Sequence, residues 1–267
     1  MAAPEALKNK GILVVDDQKF IRGMVSQSIK RFGFSSVFEA ADGFEAVQLL
    51  GGGDDSDSLK AQLGRRPDIA QDVGRKRQVV DCVVTDIRMS PMNGLELLKA
   101  IRSGVAGRRD LPVVVMSAHS DEELISAAIA LDASAFVVKP VSQGLLTEKI
   151  LRALTNPLTV QEKEVYSALF VPEVDERHTL LDASAAHAKI QAIRAMDVAA
   201  LRGQTSTSVQ TDKLFRGDIL TDGITTSSGT VIVPNGTRVT EALIHALSDL
   251  SALVQLPETV NVKRKMM

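Results

Sequence analysis

Short apolar runs alternate with amphipathic stretches over the first 154 residues. The run at 79–86 is rich in β-branched residues and too short for a typical helix, so we interpret it as a strand buried on both faces, and we interpret all five runs as strands. They span residues 11–15, 34–40, 79–86, 112–117 and 135–140. Between and after them, apolar side chains recur at helical spacing in residues 20–32, 44–50, 95–101, 124–131 and 145–154. Five strands alternating with five helices predict an α/β fold, a doubly wound parallel sheet with helices on both faces.

Four of the predicted strands end in residues that carry chemistry. These are Asp16-Asp17, Asp86, Ser117 and Lys139. Each alone has an ordinary interpretation as a helix cap, a turn residue or a solvated charge. Parallel crossovers bring all the carboxyl ends to one edge, where ligands bind in open α/β sheets. The sequence therefore predicts a site at this edge.

The residue types at this edge suit phosphoryl transfer. Carboxylates crowded in one crevice repel one another and favour a hard divalent cation, and Mg²⁺ prefers oxygen ligands. Lys139 offers a positive charge to a phosphate oxygen, and Ser117 offers a hydroxyl donor. Asp86 would act as the nucleophile and form an acyl phosphate.

Composition narrows the function classes. A length of 267 residues suggests about two domains. The net charge of −2, the 3% aromatic content and the absence of Trp argue against a nucleic-acid surface. Cys82 is the only cysteine, so no intramolecular disulfide is possible and a reducing cytoplasm is expected. No apolar run reaches the ~18 residues of a membrane span.

The ordered series Asp16-Asp17, Asp86, Ser117 and Lys139-Pro140 resembles the receiver domain of two-component response regulators. The resemblance covers about residues 9–155 and implies the flavodoxin-like strand order 2-1-3-4-5. It implies that a sensor histidine kinase or a histidine phosphotransfer protein phosphorylates Asp86 with Mg²⁺ as the cofactor.

The resemblance also assigns roles to single residues. Asp17 and Asp86 would ligate Mg²⁺ directly, Asp16 largely through water, and the backbone carbonyl of Arg88 would complete the protein ligands. Ser117 and Phe136 match the family's switch pair, with Phe in place of the commoner Tyr. The Lys139-Pro140 bond is usually cis in the family.

Two features depart from the family pattern. Residues 89–94 read Met-Ser-Pro-Met-Asn-Gly, which moves the proline one place from its usual position. Residues 51–78 form an unusual surface insertion that opens with a Gly- and Asp-rich piece, and we predict that they are mobile. The predicted receiver domain spans residues 1–155 and includes this insertion.

The second half carries weaker signals. Residues 158–165 resemble the first helix of a response-regulator DNA-binding domain, but no basic recognition helix follows. We predict a helix over 159–169, a long amphipathic helix over 175–202, and a helical linker domain over 156–203. Residues 204–210 are predicted to be a Ser/Thr-rich linker segment.

A small β-rich and helical module is predicted over residues 204–267. Strands are expected at 214–220 and 230–233, a helix capped by Thr240 carries the following leucines, and the basic tail at 262–265 is expected to be solvated. This part resembles the module found beside HD-GYP phosphodiesterase domains. The chain has no His-Asp pair and no Gly-Tyr-Pro, so no phosphodiesterase activity is expected.

The sequence thus predicts a response regulator without an enzymatic output, limited to Mg²⁺-dependent self-phosphorylation and autodephosphorylation. Its leading function is phosphorylation-controlled binding of an unidentified downstream protein, with a possible homodimer. Two alternatives remain: a phosphorelay shuttle without its own output, and a transcription factor with an unrecognised DNA-binding domain.

Overall fold

The computed structural model describes residues 4–51, 78–117, 122–156, 158–169, 171, 173–174, 180–181, 206–251 and 254–264. The predicted insertion at 51–78 and the predicted helix at 175–202 fall almost entirely outside these residues. The described residues within the predicted helix, Leu180 and Leu181, form a strand, so the helix prediction is wrong at this point. Among the described helices, none combines the length and the apolar character that crossing a membrane requires.

A five-stranded parallel sheet forms the centre of the N-terminal part. Its strands are β1 (Gly11–Val15), β2 (Ser36–Ala40), β3 (Cys82–Asp86), β4 (Val113–Ser117) and β5 (Ala135–Val138). The helices are α1 (Lys19–Phe32), α2 (Gly43–Leu50), α3 (Gly94–Arg102), α4 (Glu122–Ala130) and α5 (Gln143–Thr155). The strand order is β2-β1-β3-β4-β5, which is the predicted flavodoxin-like order.

Alternate residues of each central strand serve two separate cores because strand side chains point to opposite faces. Ile12, Val84 and Val114 pack with α1 and α5 on one face. Leu13, Val83 and Val115 pack with α2, α3 and α4 on the other face. The nearly continuous apolar runs therefore reflect burial on both sides of the sheet.

The third strand is shorter than the predicted run 79–86. Val79 is 81% exposed, and the strand begins only at Cys82. Asp81 marks the boundary because its carboxylate accepts hydrogen bonds from the backbone N–H of Gly11 and from Lys10, both at 2.9 Å. The second strand likewise begins at Ser36 rather than at residue 34.

The C-terminal part begins with the short helix α6 (Lys163–Ala168), which is shorter than the predicted 159–169. Two short strands pair next, β6 (Glu173–Val174) and β7 (Leu180–Leu181). The module then contains β8 (Thr207–Gln210), β9 (Ile219–Leu220), β10 (Ile224–Thr225), β11 (Val231–Val233), α7 (Glu241–Leu250) and β12 (Thr259–Lys263). Strand β12 lies between β8 and β9, and β10 pairs with β11.

Three expectations for the module were wrong in detail. Residues 207–210 form a strand rather than a linker, because they pair with β12. The predicted strand at 214–220 is limited to Ile219–Leu220. The basic tail is not simply solvated: Lys263 is buried in β12, and Arg264 binds Asp218 through two hydrogen bonds while stacking over the Phe215 ring.

Candidate functional site at the carboxyl edge of the sheet

The parallel register places the ends of four strands side by side. Val15 pairs with Thr85, Asp86 with Met116, and Ser117 with Val138. The residues at or just after those ends therefore converge, as the sequence predicted for a parallel sheet. Asp16 is fully buried, Asp86 and Ser117 are nearly so, and Asp17 is half-buried.

Lys139 joins two of the strand ends electrostatically. Its Nζ lies 2.7 Å from Oδ2 of Asp86 and 3.0 Å from Oδ2 of Asp16. The other oxygens of these carboxylates accept backbone hydrogen bonds, Asp86 from Ile87 at 2.8 Å and Asp16 from Gln18 at 2.9 Å. The Lys139-Pro140 peptide bond is cis.

The buried setting changes the protonation of this cluster. Burial, aided by the nearby charge of Asp16 and only partly offset by Lys139, raises the pKa of Asp86 to about 6. Burial by itself lowers the pKa of Lys139, but the charges and hydrogen bonds of Asp86 and Asp16 outweigh it and leave that pKa raised. Lys139 thus stays charged at neutral pH, while Asp86 is mainly a carboxylate above its pKa of about 6 and mainly protonated below it.

The three aspartates also fit a divalent cation. Asp16, Asp17 and Asp86 each offer a carboxylate oxygen, and these oxygens lie within 4.8 Å of one another. An all-oxygen set of this charge suits Mg²⁺. Arg88 lies two residues after Asp86 and is half-buried, so the predicted carbonyl ligand belongs to the same loop.

The loop after Asp86 returns tightly to the strand end. Gly94 donates its backbone N–H to the carbonyl of Ile87 at 3.0 Å, and a Cβ at Gly94 would lie 2.0 Å from the carbonyl oxygen of Asp86. Asn93 begins α3 with a capping box, in which its side chain accepts from the N–H of Glu96 and the Glu96 carboxylate accepts from the N–H of Asn93. The cap and the glycine together set the path of the loop beside Asp86.

The predicted switch pair lies on β4 and β5. Ser117 is 1% exposed at the end of β4, and Phe136 is 2% exposed on β5, opposite Val115. Phe136 belongs to the same core cluster as side chains of α4 and of the C-terminal module. The ring is therefore enclosed between two parts of the chain.

Sequence reasoning missed a second cluster of charges outside this site. Asp249 of α7 binds Lys149 and Arg152 of α5, and its side chain is 1% exposed. One signal was present in the sequence: Asp249 lies on the apolar side of α7, three residues after Ala246 and beside Leu250. A carboxylate on an apolar helix face is expected to have a buried partner.

The chain is similar to known receiver domains and to chemotaxis proteins. The family described as "Response regulator receiver domain" matches residues 65–151. The chain is 32% identical over 143 residues to "Chemotaxis protein CheY-3" of Vibrio cholerae. The matched region covers 54% of this chain and 90% of that protein. It is 27% identical over 139 residues to "Chemotaxis protein CheY homolog" of Campylobacter jejuni, covering 52% of this chain and 88% of that protein.

The chain is also similar to solved structures of response regulators. One is the chemotaxis response regulator CheY4 of Vibrio cholerae, with 27% identity, a TM-score of 0.39, and coverage of 55% of this chain and 99% of that one.

Proposed function

The chain belongs to the response regulator receiver family, and from this premise we propose that it is a phosphorylation-controlled regulator in a two-component phosphorelay. Asp86 accepts a phosphoryl group from a sensor histidine kinase or a histidine phosphotransfer protein. The observation that carries the proposal is the Lys139 ammonium group, which contacts the buried carboxylates of Asp16 and Asp86 at the strand ends. A buried carboxylate beside a lysine and two further aspartates suits acyl phosphate formation.

Asp86 is the nucleophile in this proposal. One of its carboxylate oxygens attacks phosphorus, the new O–P bond forms, and the N–P bond to the donor histidine breaks. The bonding electron pair stays on the imidazole nitrogen, which takes up a proton from solvent. Mg²⁺ held by Asp16, Asp17, Asp86 and the Arg88 carbonyl would neutralise charge on the phosphoryl oxygens. Lys139 turns from the carboxylate toward a phosphoryl oxygen, and Ser117 donates its hydroxyl to another.

Phosphorylation controls the downstream protein through a conformational change of the switch pair, Ser117 and Phe136. Recruitment of Ser117 to the phosphoryl group moves the end of β4, and Phe136 on the neighbouring strand adjusts by packing alone, because Phe lacks the hydroxyl of Tyr. The downstream target is a protein, and the C-terminal module has no enzymatic activity of its own. We further propose a cytoplasmic location, a receiver over residues 1–155, a helical linker over 156–203 and the module over 204–267.

The direct test measures the modification itself. Acetyl phosphate with Mg²⁺ should add one base-labile phosphoryl group at Asp86, detected by intact mass and peptide mapping. Asp86→Asn and excess chelator should each abolish it. Asp110→Asn is the matched control, since this carboxylate is largely exposed and lies away from the site. Undiminished labelling of Asp86→Asn would exclude Asp86 as the acceptor, and transfer from the phosphorylated chain to a phosphotransfer histidine would favour the shuttle.

A further inference from the structure

The C-terminal module covers the surface formed by α4, β5 and α5, here called the α4-β5-α5 face. Helix α7 packs against β5, and β11 packs against α4. Leu243, Leu247 and Leu250 of α7 are buried in the same core cluster as Leu124 and Phe136. The face that adjoins the switch pair is therefore occupied by a segment of the same chain.

Asp249 is the centre of this contact. One of its oxygens lies 2.8 Å from Nζ of Lys149 and 2.9 Å from a guanidinium nitrogen of Arg152. The other accepts from Arg152 at 2.5 Å and from the backbone N–H of Phe136 at 3.1 Å. Because β5 is the last strand of the sheet, this carboxylate also satisfies a backbone donor on the open edge.

A second set of polar contacts joins the module to α4. The Ser126 hydroxyl donates to the carbonyl of Val231 at 3.0 Å. The Glu122 carboxylate accepts from the hydroxyls of Thr226 and Ser228, at 2.9 and 2.5 Å. Glu122 is the first residue of α4 and the first described residue after Ser117. The module thus holds β5, α5 and both the start and the middle of α4.

These contacts are coupled to the phosphorylation site through β4 and β5. Ser117 pairs with Val138, its carbonyl accepts the N–H of Lys139 at 2.8 Å, and Val115 pairs with Phe136. A displacement of Ser117 and Lys139 toward a phosphoryl group therefore acts on the strand whose Phe136 N–H binds Asp249.

We propose that the module is an intramolecular partner of the α4-β5-α5 face, held by Asp249 as a latch, and that phosphorylation of Asp86 shifts it toward release. This inference rests on the proposed function and adds the identity of the controlled contact. Release uncovers the face and α7 for a downstream protein. Because linkage is reciprocal, loosening the latch must also favour the phosphorylated receiver.

Hydrogen exchange on the full chain tests this inference. In wild type, acetyl phosphate with Mg²⁺ should accelerate exchange in residues 231–250 and in β5, and Asp86→Asn should show no such change. Asp249→Asn keeps the side-chain shape but removes the charge, so it should show fast exchange in these segments without phosphodonor. It should also raise the phosphorylated fraction at a limiting donor concentration, by roughly fivefold or more in the underlying equilibrium constant.

Two further variants keep the test decisive. Asp222→Asn makes the same charge change on an exposed module residue, whose carboxylate accepts a hydrogen bond from Asn261 of the same module, and should behave as wild type. Ser126→Ala removes the hydroxyl that contacts the carbonyls of Val231 and Ile232 across the interface, with little effect on folding. It should give a smaller shift in the direction of Asp249→Asn. Phosphorylation of Asp86 with unchanged exchange in the module would overturn the latch alone. Failure to phosphorylate Asp86 would overturn the proposed function and the latch together.

Discussion

At the scale of the residue, Asp86 combines two properties that oppose each other. Its burial raises its pKa, while the proposed nucleophilic attack and the proposed Mg²⁺ binding both require the carboxylate. Lys139 supplies only part of the charge needed, since it is shared with Asp16. A bound cation would remove the remaining cost of ionising this buried group.

This balance predicts a pH-dependent affinity for Mg²⁺. Protons compete with the cation below the Asp86 pKa of about 6, so affinity should level off above that pH and fall below it by up to about tenfold per unit. Isothermal titration between pH 5 and 8 measures this. Asp86→Asn should bind weakly and without the step near pH 6, and an identical step in this variant would assign the proton to another group.

The same pKa affects stability without the cation. A carboxyl whose pKa is raised on folding stabilises the protein fully below the unfolded pKa near 3.8, and this contribution is lost as the pH rises through about 6. The loss is on the order of 3 kcal/mol. Mg²⁺ should therefore stabilise the wild type most above pH 6.

At the scale of the element, the segment from β3 to α3 determines where Asp86 is presented. The strand ends in Asp86, the following loop returns at Gly94, and the capping box of Asn93 and Glu96 begins α3. The proline shift at residues 89–94 leaves this geometry in place, because the return depends on Gly94 and on the cap. The glycine is required by close approach of the backbone rather than by a left-handed conformation.

A methyl group at Gly94 would overlap the carbonyl of Asp86, which cannot move without disturbing the strand end. Gly94→Ala should therefore destabilise the protein by about 2 kcal/mol or more and slow phosphorylation by acetyl phosphate. Chemical denaturation and the labelling assay measure the two effects. Gly23→Ala is the control, because Gly23 lies on the exposed side of α1 and a Cβ added there would have nothing within 4 Å. This substitution should stabilise the protein by up to about 1 kcal/mol. Normal labelling of a folded Gly94→Ala protein would contradict this view.

At the scale of the whole molecule, the receiver sheet and the C-terminal module share one apolar cluster. Leu13 and Val115 of the sheet belong to it, and so do Leu220, Ile232 and Leu250 of the module. The two parts should therefore stabilise each other.

This shared core predicts coupled unfolding. Leu250 is fully buried, so Leu250→Ala should cost about 2–5 kcal/mol and reduce hydrogen-exchange protection in β5 and α4 as well as in the module. Val79→Ala, at an exposed position, should change stability by less than about 0.5 kcal/mol. Unchanged protection in β5 and α4 of Leu250→Ala would show that the parts are energetically independent.

The sequence alone determined the parallel sheet and the gathering of Asp16, Asp17, Asp86, Ser117 and Lys139 at its edge. Both follow from local patterns: buried runs mark the strands, and parallel crossovers bring every strand end to one side. The exact ends of the strands could not be predicted from the apolar pattern. Val79 is apolar and yet exposed, and the strand begins only at Cys82.

Only the tertiary structure decided which residues of the receiver the module contacts. The pairing of β8 with β12, and the contact of Asp249 with Arg152, Lys149 and Phe136, join residues far apart in the chain. No periodicity encodes such partners, because each segment is compatible with several surfaces until the chain is packed. The carboxylate of Asp249 on an apolar helix face was a sign, missed in the sequence, that a buried partner is needed, and in the fold Lys149 and Arg152 of α5 supply it.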